Sequence, residues 1–312
     1  MKEKLVVYTV LTGGYDDIQQ PLVVDSRFDY VLFSNDFRED TIGIWHVRSI
    51  PQPDGVTTND NKRISRFPKT HPETMLAEYE ASLYIDANIQ IADQWVYDRV
   101  IKLYEQQIEY AGIKLLATGR DCVYRHSFDM CAMGFENDVN AIQQMNVLYE
   151  KGFPEHFGLT ENGIIFRIHT KQMKNVDELW WEWILNYSFR DQFSYIYCLW
   201  KHDIPINYFL PEGEDVRNTK HFRITYHDNI PSVAKKKLVK VGLMEGIRNF
   251  CRKRSKHQYG YHSEIWVKIC KMNHSVFWLH VFGICSFVIN ILLYIPIQIL
   301  LEIRKRQKSR NK

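Results

Sequence analysis

The sequence predicts an α/β fold, a mixed sheet flanked by helices, followed by a helical, membrane-associating tail. Three observations carry that prediction. Short β-branched and aromatic runs alternate with longer stretches of helical spacing through the first two hundred or so residues. Gly, Pro, Asn and Asp clusters punctuate the runs. The chain then turns strongly basic and ends in a long apolar run. No internal repeat and no low-complexity linker precede residue 231.

The elements follow in order. Lys4–Thr12 is β-rich and leads into Gly13-Gly14. Tyr30–Ser34 and Ile44–Val47 are a second and third strand, and residues 51–61 are turn-rich. A helix is expected around Pro72–Glu80, then strands at Leu83–Asp86 and Ile89–Ile91 broken by Asp-Ala-Asn. Residues 93–109 have helical spacing, with Trp95, Val96, Val100, Leu103 and Tyr104 near one face. Lys114–Ala117 is another strand, and Asn137–Lys151 a helix stopped by Gly152 and Pro154. Ile164–Ile168 is a strand, and Val176–Asn186 and Asp191–Lys201 are aromatic-rich helices.

Composition bounds the rest. The 312 residues are 45% hydrophobic and 25% charged, which suits one large domain or two small ones. The net charge of +3 hides a split. Residues 235–312 hold 17 Lys/Arg against 3 acids, a net of +14, and the preceding body carries −11. The expected organisation is a body over 1–230, a basic amphipathic region over 231–275, and an apolar segment with a basic end over 276–312. The 6 cysteines form no CxxC, and no Cys/His group has zinc-ligand spacing. The N-terminus lacks the pattern of a signal peptide, so a reducing, cytosol-facing body with free thiols is expected.

In the tail, Lys235, Lys236, Lys237, Lys240, Arg248, Arg252, Lys253, Arg254 and Lys256 are interleaved with Leu238, Val241, Leu243, Met244, Ile247 and Phe250. That pattern reads either as a basic amphipathic helix on anionic lipid or as a solvated helix packed on the body. Residues 276–301 follow as an apolar run, about 39 Å long as a helix at about 1.5 Å per residue. That length permits a membrane span. Two features favour monotopic attachment instead. His280, Ser286, Asn290 and Gln298 share one side, and both flanks are basic, against the positive-inside tendency.

The stretch SLYIDANIQI, residues 82–91, carries the chemistry. An acid at a strand end, with an amide two residues on, can offer oxygens to a hard divalent cation. Residues i and i+2 of an extended segment point to one side, so Asp86 and Asn88 are expected to share an ion. Such a cation offsets the negative charge that a nucleotide-diphosphate leaving group gains. An Asp-x-Asn turn without any ligand is the plain alternative.

Around it stand YTVLTGGYDDI (8–18), YVLFSND (30–36), KRISRFPKTHP (62–72), GFPEHFGLTENGIIFRIH (152–169) and FRDQFSYIYCLWK (189–201). With residues 82–91, these six stretches resemble, in order, the glycosyltransferase-like domain of bacterial surface-polysaccharide proteins and plant mucilage and cell-wall proteins. Members often read Trp-Ile-Asp-Gly where this chain has Tyr84-Ile85-Asp86-Ala87, so Asp86 is the matched acid and Asn88 a positional one. The resemblance implies a GT-A-like fold and transfer of a sugar from a nucleotide-sugar donor.

It also implies site residues. Thr12, Gly13, Tyr15 and Asp16 would seat the base and ribose. Arg63, Arg66 and Lys69, spaced three apart, would hold phosphate oxygens, and Arg190 would pair with the diphosphate. His169 would join Asp86 and Asn88 around Mn²⁺ or Mg²⁺. Asp191 is the expected general base, with Glu161 second. His227 is a further candidate. Trp180, Trp181 and Trp183 read either as core or as an acceptor platform. The expected partners are a nucleotide-sugar donor, a lipid-linked or polysaccharide acceptor and an anionic membrane surface at the cytoplasmic face, with no nucleic acid. A non-catalytic sugar-binding or scaffold role in polysaccharide assembly is the competing reading. A lipid hydrolase is disfavoured by the absence of GxSxG, HExxH and any His/Cys cluster.

Overall fold

A computed structural model describes residues 5–14, 16–115, 121–225 and 256–285, the side chains of 256–262 excepted. Residues 235–255, the apolar run beyond 285, Tyr15 and His227 lie outside the described residues. The chain divides into two compact units, one of 1–127 with 151–231, the other of 128–150 with 232–312.

The first unit is built on an eight-stranded mixed sheet. Its strands are β1 (Leu5–Val10), β2 (Phe28–Phe33), β3 (Thr41–Ile42), β4 (Trp45–Arg48), β5 (Ala81–Ile85), β7 (Tyr110–Lys114), β8 (Thr160–Ile168) and β9 (Asn207–Tyr208). Their order across the sheet is β3-β4-β2-β1-β5-β8-β7-β9. β4, β2, β1 and β5 run parallel, and β8 is antiparallel to both β5 and β7. Every residue of β1 and β5 is buried, as expected of parallel strands covered on both faces. A separate antiparallel pair joins β6 (Ile89–Ile91) to β10 (Phe222–Ile224).

Helices cover the sheet: α1 (Asn61–Thr70), α2 (Pro72–Met75), α3 (Trp95–Glu105), α6 (Lys171–Asn186) and α7 (Tyr195–Lys201). α4 (Val123–Ala132) begins in this unit. The mixed α/β class expected from the alternation of elements is the one observed. α3 falls within the predicted helix, with Val96, Val100 and Leu103 buried along one face.

The differences are local. A helix not assigned from sequence, α1, fills the span between the turn-rich 51–61 and Pro72, and Asp60 caps it by accepting from Arg63 N at 3.1 Å. α2 stops at Met75, five residues short of the expected end. β7 lies earlier than Lys114–Ala117 because its partners on β8 set its register. The expected helix from Asp191 opens as a 3₁₀ turn, Asp191–Phe193, before α7. Trp180 and Trp183 are buried; Trp180 stacks on Tyr195 at 3.9 Å, so these two are core rather than a sugar platform.

The second unit contains α5 (Asp138–Glu150), α8 (Lys256–Cys270) and a helical stretch over 275–285. Asn146 Nδ2 donates to the carbonyl of Cys270 at 2.9 Å, and Phe128 packs on Trp266. Phe277, Trp278 and Ile284 are exposed. Among the described residues no helix is long and apolar enough to cross a membrane.

Candidate functional site

The carboxyl ends of β1, β2 and β5 lie side by side, and the chain leaves β1 for β2 on one flank while β5 takes the other. Ligands of open α/β sheets bind in the crevice at such a reversal of strand order. Beyond β1, Leu11 N donates to Phe33 O, and Thr12 Oγ1 donates to the carbonyl of Asn61 at the start of α1. Gly13 has φ +70°, a backbone that favours glycine, and lies against the Asn61 side-chain amide, which would have to shift for a Cβ. Gly14 N donates to Asp36 Oδ2 at 3.0 Å, closing the loop against the end of β2. Asp16 is half-buried nearby in sequence.

Asp86 follows β5 directly. Its N–H donates to Gly163 O at 2.8 Å, and its carbonyl accepts from Ile89 N, which makes 86–89 a tight turn. That turn corrects the expectation that Asp86 and Asn88 sit on an extended segment with side chains to one side. Asn88 Nδ2 instead donates to the carbonyl of Thr225 at 3.1 Å. The Asp86 side chain is 41% exposed. Tyr84 OH donates to Asp86 Oδ1 at 2.6 Å, and Oδ2 faces the bare Cα of Gly163.

The three basic residues of α1 have three different fates. Arg63 is a tie: its guanidinium donates to the carbonyls of Ile184 and Tyr187 and pairs with Asp60. Lys69 is sealed, with a side chain 2% exposed, 2.6 Å from Asp191 Oδ2 and 3.7 Å from Asp86 Oδ1. Both are engaged by protein groups, so of the three residues expected to hold phosphate only Arg66 keeps a nitrogen without a hydrogen bond. Arg66 is half-buried, with Nε 3.5 Å from Asp191 Oδ2 and no hydrogen bond on that nitrogen.

Asp191 corrects a second expectation. Trp180 Nε1 donates to its carbonyl, and its carboxylate faces Lys69 and Arg66. Burial alone would raise its carboxyl, but the charges of Lys69 and then Arg66 outweigh burial and bring the pKa down to about 2. A carboxylate so held is a poor proton acceptor near neutrality. Arg190 adds positive charge beside it. Glu161 lies on β8 and accepts from Arg217 at 2.5 Å.

His169 is at the wrong end of the strand for a metal shell with Asp86. The antiparallel register pairs Ala81 with Ile168 and Ile85 with Ile164. His169 Nδ1 donates to Tyr79 O, and Nε2 accepts from Ser82 Oγ, both at 2.9 Å. From Ser82 to Asp86 is about 13 Å at a rise of about 3.3 Å per residue. Burial, then the charge of Arg167, lowers this imidazole to about 4.

Beneath the site, Arg167 joins the sheet to α1 and α6. It donates to Asp177 at 2.7 Å, to Tyr8 OH and to the carbonyl of Lys69, all fully buried. Tyr84, Gly163, Asp36 and Arg167 were not singled out from sequence. Only Gly163, inside a β-rich run, carried a signal of close backbone approach.

For a divalent cation, the half-exposed Asp86 carboxylate is the oxygen donor at the end of β5, and the turn gives Asn88 no established place beside it. Mg²⁺-type ions are commonly held by one or two such groups together with substrate phosphates and water, and this donor set fits that mode.

No family model matches this chain, and no curated protein matches it. Among solved structures it is similar to the WbbM bifunctional glycosyltransferase in its apo form, at 12% identity and a TM-score of 0.37. The match covers 68% of this chain and 39% of that one.

Proposed function

We propose that this chain is a glycosyltransferase that moves a sugar from a nucleotide-diphosphate donor to a lipid-linked or polysaccharide acceptor. The observation that supports it most is the half-exposed Asp86 at the carboxyl end of β5, beside the β1 loop and above the Lys69–Asp191 pair. An acid that can take a cation, next to buried positive charge, suits a ligand whose charge grows as a bond to diphosphate breaks. The six motif stretches that resemble glycosyltransferase-like domains supply the reaction class.

In this reading the loop Thr12–Asp16 seats the nucleoside, and Asp36 steadies that loop through Gly14. Asp86, with Asn88, would hold Mn²⁺ or Mg²⁺, which would supply positive charge against the leaving diphosphate. Arg66 and Arg190 bind phosphate oxygens. Lys69 adds its field from below, and Asp191 positions Lys69 and Arg66. Glu161 takes the acceptor proton, with Arg217 orienting it. The tail attaches to anionic lipid at the cytoplasmic face. Its net charge and the exposed Phe277, Trp278 and Ile284 support that attachment.

A thermal-shift screen of nucleotide sugars with and without Mn²⁺, followed by transfer from the best donor to a lipid extract, tests the proposal. Binding only to the folded state raises the melting temperature. One donor should do so, and Arg66→Ala should abolish the shift without unfolding the protein. A screen in which no donor stabilises the protein contradicts the proposal, as does product formed without added nucleotide sugar.

A further inference from the structure

We propose that Cys122, Glu155 and His156 form a transition-metal site, suited to Zn²⁺, with Asp121 as the group that orients the histidine. One ligand atom from each of the three lies within 4.8 Å of the others. Ligands about 2.0–2.3 Å from a shared tetrahedral ion stand about 3.5 Å apart, so a small inward movement would bring the three to bonding distance, with water in the fourth position.

The histidine is already set for the task. Asp121 Oδ1 accepts from His156 Nδ1 at 2.8 Å. That bond places the ring proton on Nδ1 and leaves the lone pair on Nε2, the arrangement in which a carboxylate backs a metal-bound imidazole. His156 has φ +58°, the left-handed region that few residues other than glycine adopt, histidine more often than most. Around it, Gly158 N donates to Asp121 O at 3.0 Å, and Tyr124 OH donates to Phe153 O at 2.7 Å. The loop over 152–158 is therefore pinned to the start of α4 at both ends.

Donor chemistry selects the ion. A thiolate with an imidazole and a carboxylate suits Zn²⁺, whereas Mg²⁺ and Mn²⁺ prefer oxygen alone. Cys122 is buried, while the Asp121 and His156 side chains are 54% and 50% exposed, so an ion enters from solvent and closes over the sulfur. On binding, the Cys122 S–H gives way to an S–metal bond and the proton leaves to water. The ion would fasten the loop that feeds β8. The site is independent of Asp86 and of the nucleotide reading. Cys122 lies more than a helix and a loop away in sequence from the adjacent Glu155 and His156, so sequence spacing gave no sign of it.

The full chain, stripped of metal, is titrated with Co²⁺ and then Zn²⁺. The expected result is one equivalent of Co²⁺ bound with a thiolate-to-cobalt charge-transfer band, displaced by Zn²⁺. Cys122→Ser should lose the band, and Cys285→Ser and Asp86→Ala should keep it. His156→Gln and Asp121→Asn change exposed side chains and leave folding intact. His156→Gln should abolish stoichiometric binding, and Asp121→Asn should keep the band with affinity weakened roughly 10–100-fold. A wild-type protein without the band, or a band that survives either Cys122→Ser or His156→Gln, overturns the proposal.

Discussion

Lys69 Nζ lies 2.6 Å from Asp191 Oδ2 and 3.7 Å from Asp86 Oδ1, so a single buried ammonium links the 3₁₀ turn before α7 to the acid at the end of β5. The same lysine lies over the Tyr84 ring at 4.6 Å, and Tyr84 in turn holds Asp86. α1, β5 and the 3₁₀ turn are thereby fixed to one another at the place where a ligand is proposed to bind.

Removing one member of that pair should be costly. Lys69→Met leaves Asp191 buried with the longer contact to Arg66 and the charge of Arg190, and breaking a buried ion pair from one side costs about 3–5 kcal/mol. Denaturant unfolding should show a loss of that order. The double variant Lys69→Met/Asp191→Asn should recover part of it. A Lys69→Met protein as stable as wild type would contradict the assigned role.

Asp191 and His169 give pH signatures. The folded pKa of Asp191 is below its ordinary value of 3.8, so its contribution is full above that pH and is lost as pH falls toward 2. His169 is neutral when folded, with a pKa lowered from 6.5 to about 4. The unfolded chain binds a proton in that window and the folded chain does not. Its contribution is therefore full above pH 6.5 and is lost as pH falls through that window toward 4. Between those pH values the melting temperature of wild type should fall more steeply than that of His169→Gln. Parallel curves would show that the imidazole is not buried in its neutral form.

Gly163 offers a probe of the site that spares the fold. A Cβ there would stand 3.0 Å from Asp86 Oδ2. Asp86 is half-exposed and can move aside, and Ile89 Cδ1 at 3.2 Å must give slightly, so Gly163→Ala should cost about 1–3 kcal/mol while displacing the carboxylate. Nucleotide affinity should fall at least tenfold in a protein that still folds. Unchanged affinity would indicate that Asp86 Oδ2 takes no part in binding.

Arg167 is the deeper support. It and Asp177 are both fully buried, and Arg167→Met strands that acid, with an expected loss of about 3–5 kcal/mol by denaturant unfolding. A loss below 1 kcal/mol, by the same measurement, would mean Asp177 is neutral in the fold.

The sheet was legible because buried parallel strands leave unbroken runs such as Leu5–Val10 and Ala81–Ile85. α1 was hard to see: its buried positions include Lys69 and Thr70, and Pro68 lies inside it. Periodicity of apolar residues cannot find a helix whose inner face is partly polar. Asp86 was singled out from its strand-end position, and the structure places it at the end of β5 with its side chain 41% exposed. The roles of Asp191, Lys69 and His169 were not legible. Each depends on partners far away in sequence, such as Asp191 for Lys69 and Ser82 for His169, and on burial that no local pattern reports. The i, i+2 argument for Asn88 failed because the chain turns at Asp86 instead of continuing extended.

The central claim is that Asp86 binds a cation together with a nucleotide diphosphate, and calorimetry tests it most directly. Nucleoside diphosphate titrated into wild-type protein should bind at least tenfold more tightly with Mn²⁺ than with chelator, and Asp86→Ala should erase that difference while keeping its melting temperature. Equal affinity with and without Mn²⁺, in wild type and variant alike, would contradict the account.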